Sequence, residues 1–145
     1  MNAAILVVIA GSVPLLLLSA RNMGAQTSSA GNSYDSMVFD GRERFYLLHI
    51  PPSYDPTQPT ALVIVLHGGG GNAVGASRMT GFSDEADRGG FVVVYPEGTG
   101  RLQGRLLTWN SGNCCGSAMD NNVDDVGFID ALISKLETQL NIDRS

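Results

Sequence analysis

The stretch that decides the fold is residues 61–72, Ala-Leu-Val-Ile-Val-Leu-His-Gly-Gly-Gly-Gly-Asn. Its six apolar residues show no polar alternation, which predicts a strand buried on both faces, as in a parallel sheet. His67 and four glycines follow at once. Glycines permit positive φ angles and let backbone amides approach a ligand without a Cβ in the way. The stretch therefore predicts a buried strand that ends in a loop suited to binding negative charge.

A second buried strand follows within the same unit. Residues 91–95, Phe-Val-Val-Val-Tyr, are apolar and are stopped by Pro96. Between the two strands, residues 73–88 predict a helix that ends at the pair Gly89 and Gly90. A strand, a helix and a strand in this order predict a right-handed crossover and two parallel strands.

The preceding segment predicts an antiparallel hairpin. Residues 36–39 and 42–50 are short extended runs separated by Asp40-Gly41, a dipeptide typical of tight hairpin turns. The Pro-rich residues 51–60 then predict a surface connection.

The C-terminal part predicts a long loop and an amphipathic helix. Residues 96–123 are rich in glycine and carry the only tryptophan, Trp109. Asn122 is expected to cap the helix, with Asp124 and Asp125 in its first turn. The apolar positions expected on one face are Val126, Ile129, Ile133, Leu136 and Leu140. Residues 141–145 are expected to approach another strand.

The N-terminus carries a long apolar run. Residues 3–20 are almost all apolar, so residues 1–26 are expected to be a signal peptide or a membrane anchor. Residues 27–41 are expected to form a polar leader and a first short strand. The whole chain has a net charge of −5, and removing residues 1–26 with Arg21 would leave 8 − 14 = −6. An acidic chain without a basic run is a poor candidate for nucleic acid, and membrane contact is expected only if the apolar run is retained. The expected location is secreted or periplasmic.

The only cysteines, Cys114 and Cys115, are adjacent. Neighbouring cysteines cannot form an ordinary bridge without a distorted peptide, and their pairing state stays open. His49 and His67 lie far away in sequence, so the pattern predicts no zinc site and no other metal site.

Four blocks together resemble one enzyme family. The first two blocks are residues 66–71, Leu-His-Gly-Gly-Gly-Gly, and residues 90–96, Gly-Phe-Val-Val-Val-Tyr-Pro. The other two are residues 108–116, which contain Thr-Trp-Asn and Cys-Cys-Gly, and residues 123–129, Val-Asp-Asp-Val-Gly-Phe-Ile. Their order and spacing resemble the polyhydroxybutyrate depolymerase and feruloyl-esterase-like family of secreted α/β-hydrolases. The resemblance implies an α/β class, a partial α/β-hydrolase fold in which a hairpin precedes parallel strands with flanking helices. It assigns residues 42–145 to the N-terminal part of that domain.

The resemblance also implies a mechanism and its missing parts. Such enzymes cleave esters through an acyl-enzyme formed on the serine of a Gly-x-Ser-x-Gly elbow. No such pattern occurs in the sequence, so no catalytic residue is assigned and this chain alone is expected to be inactive. The glycine loop is expected to contribute oxyanion-hole donors, first Gly69 and then Gly70, while His67 and Gly68 order the loop. The implied substrate is a small ester, a polyester or a feruloylated polysaccharide, and no cofactor is expected.

Several interpretations remain open at this level. The glycines followed by Glu97 at the next strand end also imitate a dinucleotide-binding fingerprint, although the glycine spacing is imperfect. An exported, non-catalytic binding protein is a third possibility. Trp109 could line a substrate cleft or cover the core. For Asp124 and Asp125, helix capping is favoured over catalysis, and Glu97 is expected to be solvated.

Overall fold

The computed structural model describes residues 30–112 and 116–143. The strands are Gly31–Phe39 (β1), Arg42–Ile50 (β2), Leu62–Ile64 (β3) and Val92–Pro96 (β4). These four strands form one sheet in the order β1-β2-β4-β3. The helices are Ala73–Thr80 (α1), Phe82–Gly89 (α2), Gly116–Asp120 (α3) and Asp125–Gln139 (α4). The expected α/β class is confirmed. The expected signal or anchor and both cysteines lie outside the described residues. Within those residues, no helix is long and apolar enough to cross a membrane.

The sheet is mixed and is covered on both faces. β2 pairs antiparallel with β1 and β4, whereas β3 and β4 are parallel, as the crossover predicts. On one face, apolar side chains of β2 and β4 pack against α4; on the other, Leu47, Val93 and Tyr95 pack against alanines of α1 and α2. Burial of β4 on both faces explains its unbroken Val-Val-Val-Tyr sequence.

The hairpin prediction is confirmed, but the first strand is longer than expected. Asp40 and Gly41 have φ angles of 49° and 68°, as a tight hairpin turn requires. β1 begins at Gly31 and pairs along its whole length, from Gly31 opposite Ile50 to Phe39 opposite Arg42. Part of the segment expected to be a polar leader is therefore a strand. Its polar side chains suit an edge strand whose outer side is exposed.

The single helix expected over residues 73–88 is divided into α1 and α2. Gly81 lies between them in the left-handed region, with φ 66°, and its amide donates to Ser77 O. A glycine in this conformation ends a helix readily because it has no Cβ to clash.

Two expectations for α4 are wrong in detail. Its N-cap is Asp124, whose carboxylate accepts from the Gly127 amide, rather than Asn122. Val126, expected in the core, is 72% exposed. Leu136 and Leu140 are buried as expected, and the rest of the buried stripe consists of Phe128 and Leu132, which were not expected there.

After α4 the chain returns to the sheet, as expected for residues 141–145. Ile142 forms a parallel bridge with Thr60, which accepts from Asp143 N at 2.9 Å and donates to Asn141 O at 2.9 Å. Ala61 O, one residue further on, accepts from Val92 N of β4. Peptide groups alternate in direction along a strand, so Ile142 lies on the side of β3 that faces away from β4.

Candidate functional site

His67 lies just beyond β3 and uses both ring nitrogens to hold the backbone. The side chain is only 4% exposed. Its Nε2 lies 3.0 Å from the amide nitrogen of Gly98, which can only donate, so Nε2 accepts and the proton is on Nδ1. Nδ1 then donates to Gly68 O at 2.8 Å. A neutral ring with both nitrogens engaged has no free lone pair for a substrate proton, which supports the ordering role expected for His67.

The glycine loop is exposed, and its amides differ in whether they have a partner. Gly68, Gly69 and Gly70 are exposed, and a Cβ at any of them would meet nothing within 4 Å. The amide of Gly70, the second sequence candidate for an oxyanion donor, donates to Leu107 O at 2.7 Å. The amide of Gly71 donates to Gly68 O at 3.0 Å. Within residues 30–112 and 116–143, the amides of Gly68 and of Gly69, the first candidate, donate no hydrogen bond.

The partners of this loop belong to a hairpin-like segment at residues 98–108, here called the 98–108 hairpin. Thr99 and Thr108 exchange backbone hydrogen bonds of 3.0 and 2.8 Å, which close the segment at its base. At that base a Cβ on Gly98 would lie 2.3 Å from Thr108 O, so only glycine fits there. Asn72, which caps α1 through the Gly75 amide, also donates from Nδ2 to Gly104 O at 2.8 Å. The 98–108 hairpin therefore holds the glycine loop through Leu107 and Gly104.

Trp109 packs against the base of the glycine loop and also lines a groove. Its Nε1 donates to His67 O at 3.0 Å, and its ring lies 5.0 Å from the His67 ring, so it packs against the base of the loop. It also lines an almost wholly apolar groove of about 310 Å³ between the end of β3 and α4. Leu66 at 53% and Val126 at 72% exposure form part of the same groove.

A buried ion pair, which sequence reasoning missed, fixes the segment beyond Trp109. Asp125 was expected only to complement the helix dipole, but it is 6% exposed and lies 2.6 Å from Arg44 Nη2. Its second carboxylate oxygen accepts from Asn110 N at 2.7 Å. Arg44 stacks 3.9 Å above the ring of Phe128, and burial lowers the pKa of its guanidinium while Asp125 opposes that shift. No local signal marks this pair, because Arg44 is the last of three consecutive charged residues that open β2.

Glu97 is buried, contrary to the expectation that it is solvated. It is 3% exposed, its Oε2 accepts from Tyr34 OH at 2.8 Å, and its Oε1 accepts from Ala73 N at 3.2 Å. The N-terminus of α1 favours a negative charge at this position. Burial, followed by the bond to Glu97, raises the pKa of the Tyr34 phenol. Glu97 therefore links β1 to the N-terminus of α1.

The described residues contain no obvious acid–base or metal centre. Each nitrogen of His49 also has a partner, Asn32 Oδ1 and Asp87 Oδ1, both at 2.8 Å. Among residues 30–112 and 116–143, no group of three or more His, Cys, Asp or Glu side chains is arranged to hold a metal ion. What this region offers a ligand is therefore the open Gly69 amide and an apolar groove lined by Leu66 and Trp109.

Comparisons with known proteins point to esterases. The chain is 33% identical to feruloyl esterase C of Emericella nidulans over 111 residues, which cover 73% of this chain and 35% of that protein. It is 30% identical to a probable feruloyl esterase C of Aspergillus niger, covering 90% of this chain and 46% of the relative, and 32% identical to one of Aspergillus flavus, covering 84% and 42%. The chain thus spans less than half the length of the curated relatives it matches. No family model matches.

A solved structure shows the same likeness at the level of the fold. The crystal structure of a thermostable esterase superposes with a TM-score of 0.54 at 18% identity, covering 77% of this chain and 32% of that one. At this identity the likeness concerns the fold alone. The chain is therefore similar in sequence to feruloyl esterases and similar in fold to a solved esterase.

Proposed function

We propose that this chain is the N-terminal portion of a secreted serine esterase or depolymerase, and that it supplies the oxyanion-binding wall of the active site. The observation that carries the proposal is the exposed Gly69 amide, which has no acceptor in the described part of the chain although the amides of Gly70 and Gly71 on its C-terminal side are both engaged. A rigid loop that leaves such a donor open is the arrangement that stabilises a developing oxyanion without reorganisation. The similarity to feruloyl esterases supports the same reading.

In the proposed reaction a serine attacks the ester carbonyl, and the carbonyl oxygen becomes an alkoxide. The alkoxide accepts from Gly69 N and from the amide that follows the nucleophile. Gly70 positions the loop because its amide is held by Leu107 O, so the oxyanion role is assigned to Gly69 rather than to Gly70. His67 and Gly68 order the loop, and Trp109 forms a wall of the substrate cleft.

The remaining catalytic groups are proposed to lie outside residues 1–145. The serine, the acid and the catalytic histidine would follow α4 in the chain. The strand that leads to the serine would begin at Ile142, which forms the parallel bridge with Thr60. The substrate class is proposed to be a carboxylic ester, either a small ester, a polyester or a feruloylated polysaccharide, with no cofactor or metal.

A chimera tests the role of the loop. Residues 30–143 would replace the matching part of feruloyl esterase C of Emericella nidulans, and hydrolysis of methyl ferulate would be followed. Gly69→Pro removes the amide proton, and kcat is expected to fall by roughly a hundredfold to a thousandfold. Gly69→Ala is the matched control, since it keeps the amide and its Cβ meets open space. Equal activity of both variants would refute the oxyanion role.

The 145-residue chain itself gives a second test. It is expected to hydrolyse p-nitrophenyl esters no faster than a heat-denatured sample. Turnover well above this background, abolished by a serine-directed phosphonate, would show that the chain already contains a nucleophile and would overturn the proposed division of the active site.

A further inference from the structure

A second groove is lined in part by the 98–108 hairpin, and nothing in the proposed ester chemistry uses it. It measures about 290 Å³, which is at the lower limit of small-molecule pockets, roughly 300 Å³. Its walls come from the start of β2, the end of β4 and the hairpin. The lining used below consists of Arg42, Glu43, Phe45, Glu97, Gln103 and Leu107.

The groove has an aromatic wall with a rigid backing. Phe45 is half-buried, and its ring is stacked on that of Tyr34, with centroids 5.9 Å apart and planes 15° apart. The Tyr34 hydroxyl is in turn bonded to the buried Glu97 carboxylate. An aromatic face held in this way offers apolar contact at a low entropic cost on binding.

The polar groups around this wall can bind hydroxyls. Arg42 and Gln103 are exposed, and in the described part of the chain neither side chain has a hydrogen-bond partner. Glu43 offers a carboxylate, one oxygen of which accepts from Ser36 Oγ. Glu97, 3% exposed, contributes a fixed carboxylate to the lining, and each carboxylate oxygen can accept more than the one bond it already makes.

The balance of charge selects against ionic ligands. An anion would meet the carboxylates of Glu43 and Glu97, and a cation would meet the guanidinium of Arg42. The negative charge of Glu97 is already partly balanced by the N-terminus of α1, whose Ala73 amide donates to the carboxylate. A neutral ligand with many hydroxyls and one apolar face satisfies every feature of the groove.

From these features we propose that the groove binds a neutral oligosaccharide, one sugar ring of which stacks on Phe45 while its hydroxyls bond to Arg42, Glu43 and Gln103. The groove adjoins the glycine loop through Leu107, whose buried side chain lines the groove while its backbone bonds to Gly70 and Gly71. In an ester hydrolase the groove would hold the carbohydrate part of an acylated polysaccharide. The assignment of the groove to the carbohydrate part of an ester substrate rests on the proposed function, whereas sugar binding itself does not.

Binding of xylotriose to the 145-residue chain tests the inference. In ¹H–¹⁵N spectra, saturable shifts are expected for the Gln103 side-chain amide and the backbone amides of Gly98 and Gly100. Calorimetry should give weaker binding for Arg42→Ala and for Gln103→Ala, each by about fivefold, as expected for one lost hydrogen bond. Arg78→Ala and Gln58→Ala are matched controls at exposed positions outside the groove and should bind as the parent chain does.

The outcomes separate this inference from the proposed function. Absence of saturable shifts at millimolar xylotriose, or unchanged affinity of both groove variants, would overturn the sugar site. Tighter binding of trigalacturonic acid than of xylotriose would also overturn it, because the anion should be repelled. None of these measurements requires turnover, so an inactive chimera with normal xylotriose binding would refute only the ester chemistry.

Discussion

Replacing His67 by phenylalanine should destabilise the fold by removing two hydrogen bonds while keeping a ring beside Trp109. In His67→Phe the buried Gly98 amide loses its acceptor, which costs about 1–3 kcal/mol. The exposed Gly68 carbonyl loses its donor but can bond to water, which costs about 0.5–1.5 kcal/mol. The sum is about 1.5–4.5 kcal/mol. With an m-value of about 1.5 kcal/mol/M, the urea midpoint should fall by about 1 to 3 M.

Two further variants of His67 test the reasoning more sharply. His67→Gln can present an oxygen to Gly98 N, whereas His67→Asn can present an amide proton to Gly68 O. Because Gly98 N is buried and Gly68 is exposed, glutamine should recover more stability than asparagine. The measurement is urea unfolding followed by Trp109 fluorescence. A phenylalanine variant as stable as the parent chain, or an asparagine variant more stable than the glutamine variant, would refute the assigned tautomer and its role.

Three other predictions concern the groups that surround the loop. Gly98→Ala should lower the free energy of unfolding, measured in urea, by about 3 kcal/mol, because its Cβ would lie 2.3 Å from the backbone oxygen of Thr108. Gly69→Ala should be nearly neutral, because its Cβ would meet open space. Equal effects of the two variants would contradict the close approach at Gly98. Asp125→Ala should lower the free energy of unfolding by about 3–5 kcal/mol, because it leaves the charge of Arg44 buried and unpaired. The double variant Arg44→Met with Asp125→Leu should recover much of this stability. A double variant as unstable as Asp125→Ala would contradict this account. Because the pKa of Tyr34 is raised in the folded state, the phenol stabilises the fold below its ordinary pKa of 10.0, and this stabilisation is lost as the pH rises above that value. In thermal unfolding, Tyr34→Phe should therefore lose less stability at alkaline pH than the parent chain. The same loss in both proteins would contradict the assigned cause.

The elements that the sequence predicted well are those whose signals are local. The Asp40-Gly41 turn, the valine run of β4 and the apolar residues before His67 each occupy a few consecutive positions, and the structure contains the corresponding turn and strands. The burial predicted for the last of these was wrong, because β3 covers only Leu62–Ile64 and is half-buried rather than buried on both faces. α4 shows where local reasoning fails. Its apolar residues fit more than one helical stripe, and the sheet selects the stripe through Phe128 and Leu132 while Val126 is left exposed.

The candidate site was less predictable because its properties depend on distant partners. Glu97 follows a strand and reads as a solvated residue, yet the Tyr34 hydroxyl and the N-terminus of α1 enclose its carboxylate. Asp125 reads as one of two acidic residues at a helix start, yet only one of them caps the helix and the other pairs with Arg44. In both cases the decisive partner is a side chain of the N-terminal hairpin, at a sequence separation of 63 or 81 residues.

The same dependence decides which glycine is available to a ligand. Nothing in four consecutive glycines distinguishes Gly69 from Gly70, because the distinction is made by Leu107 O, which engages only the second amide. Leu107 is placed by the closure of the 98–108 hairpin, and that closure requires glycine at position 98, where the His67 ring also bonds. The open donor is therefore a property of the hairpin as much as of the glycine loop. A substitution that shifts the hairpin should alter the Gly69 amide and the groove behind Leu107 together, which gives one structural element control over both proposed binding sites.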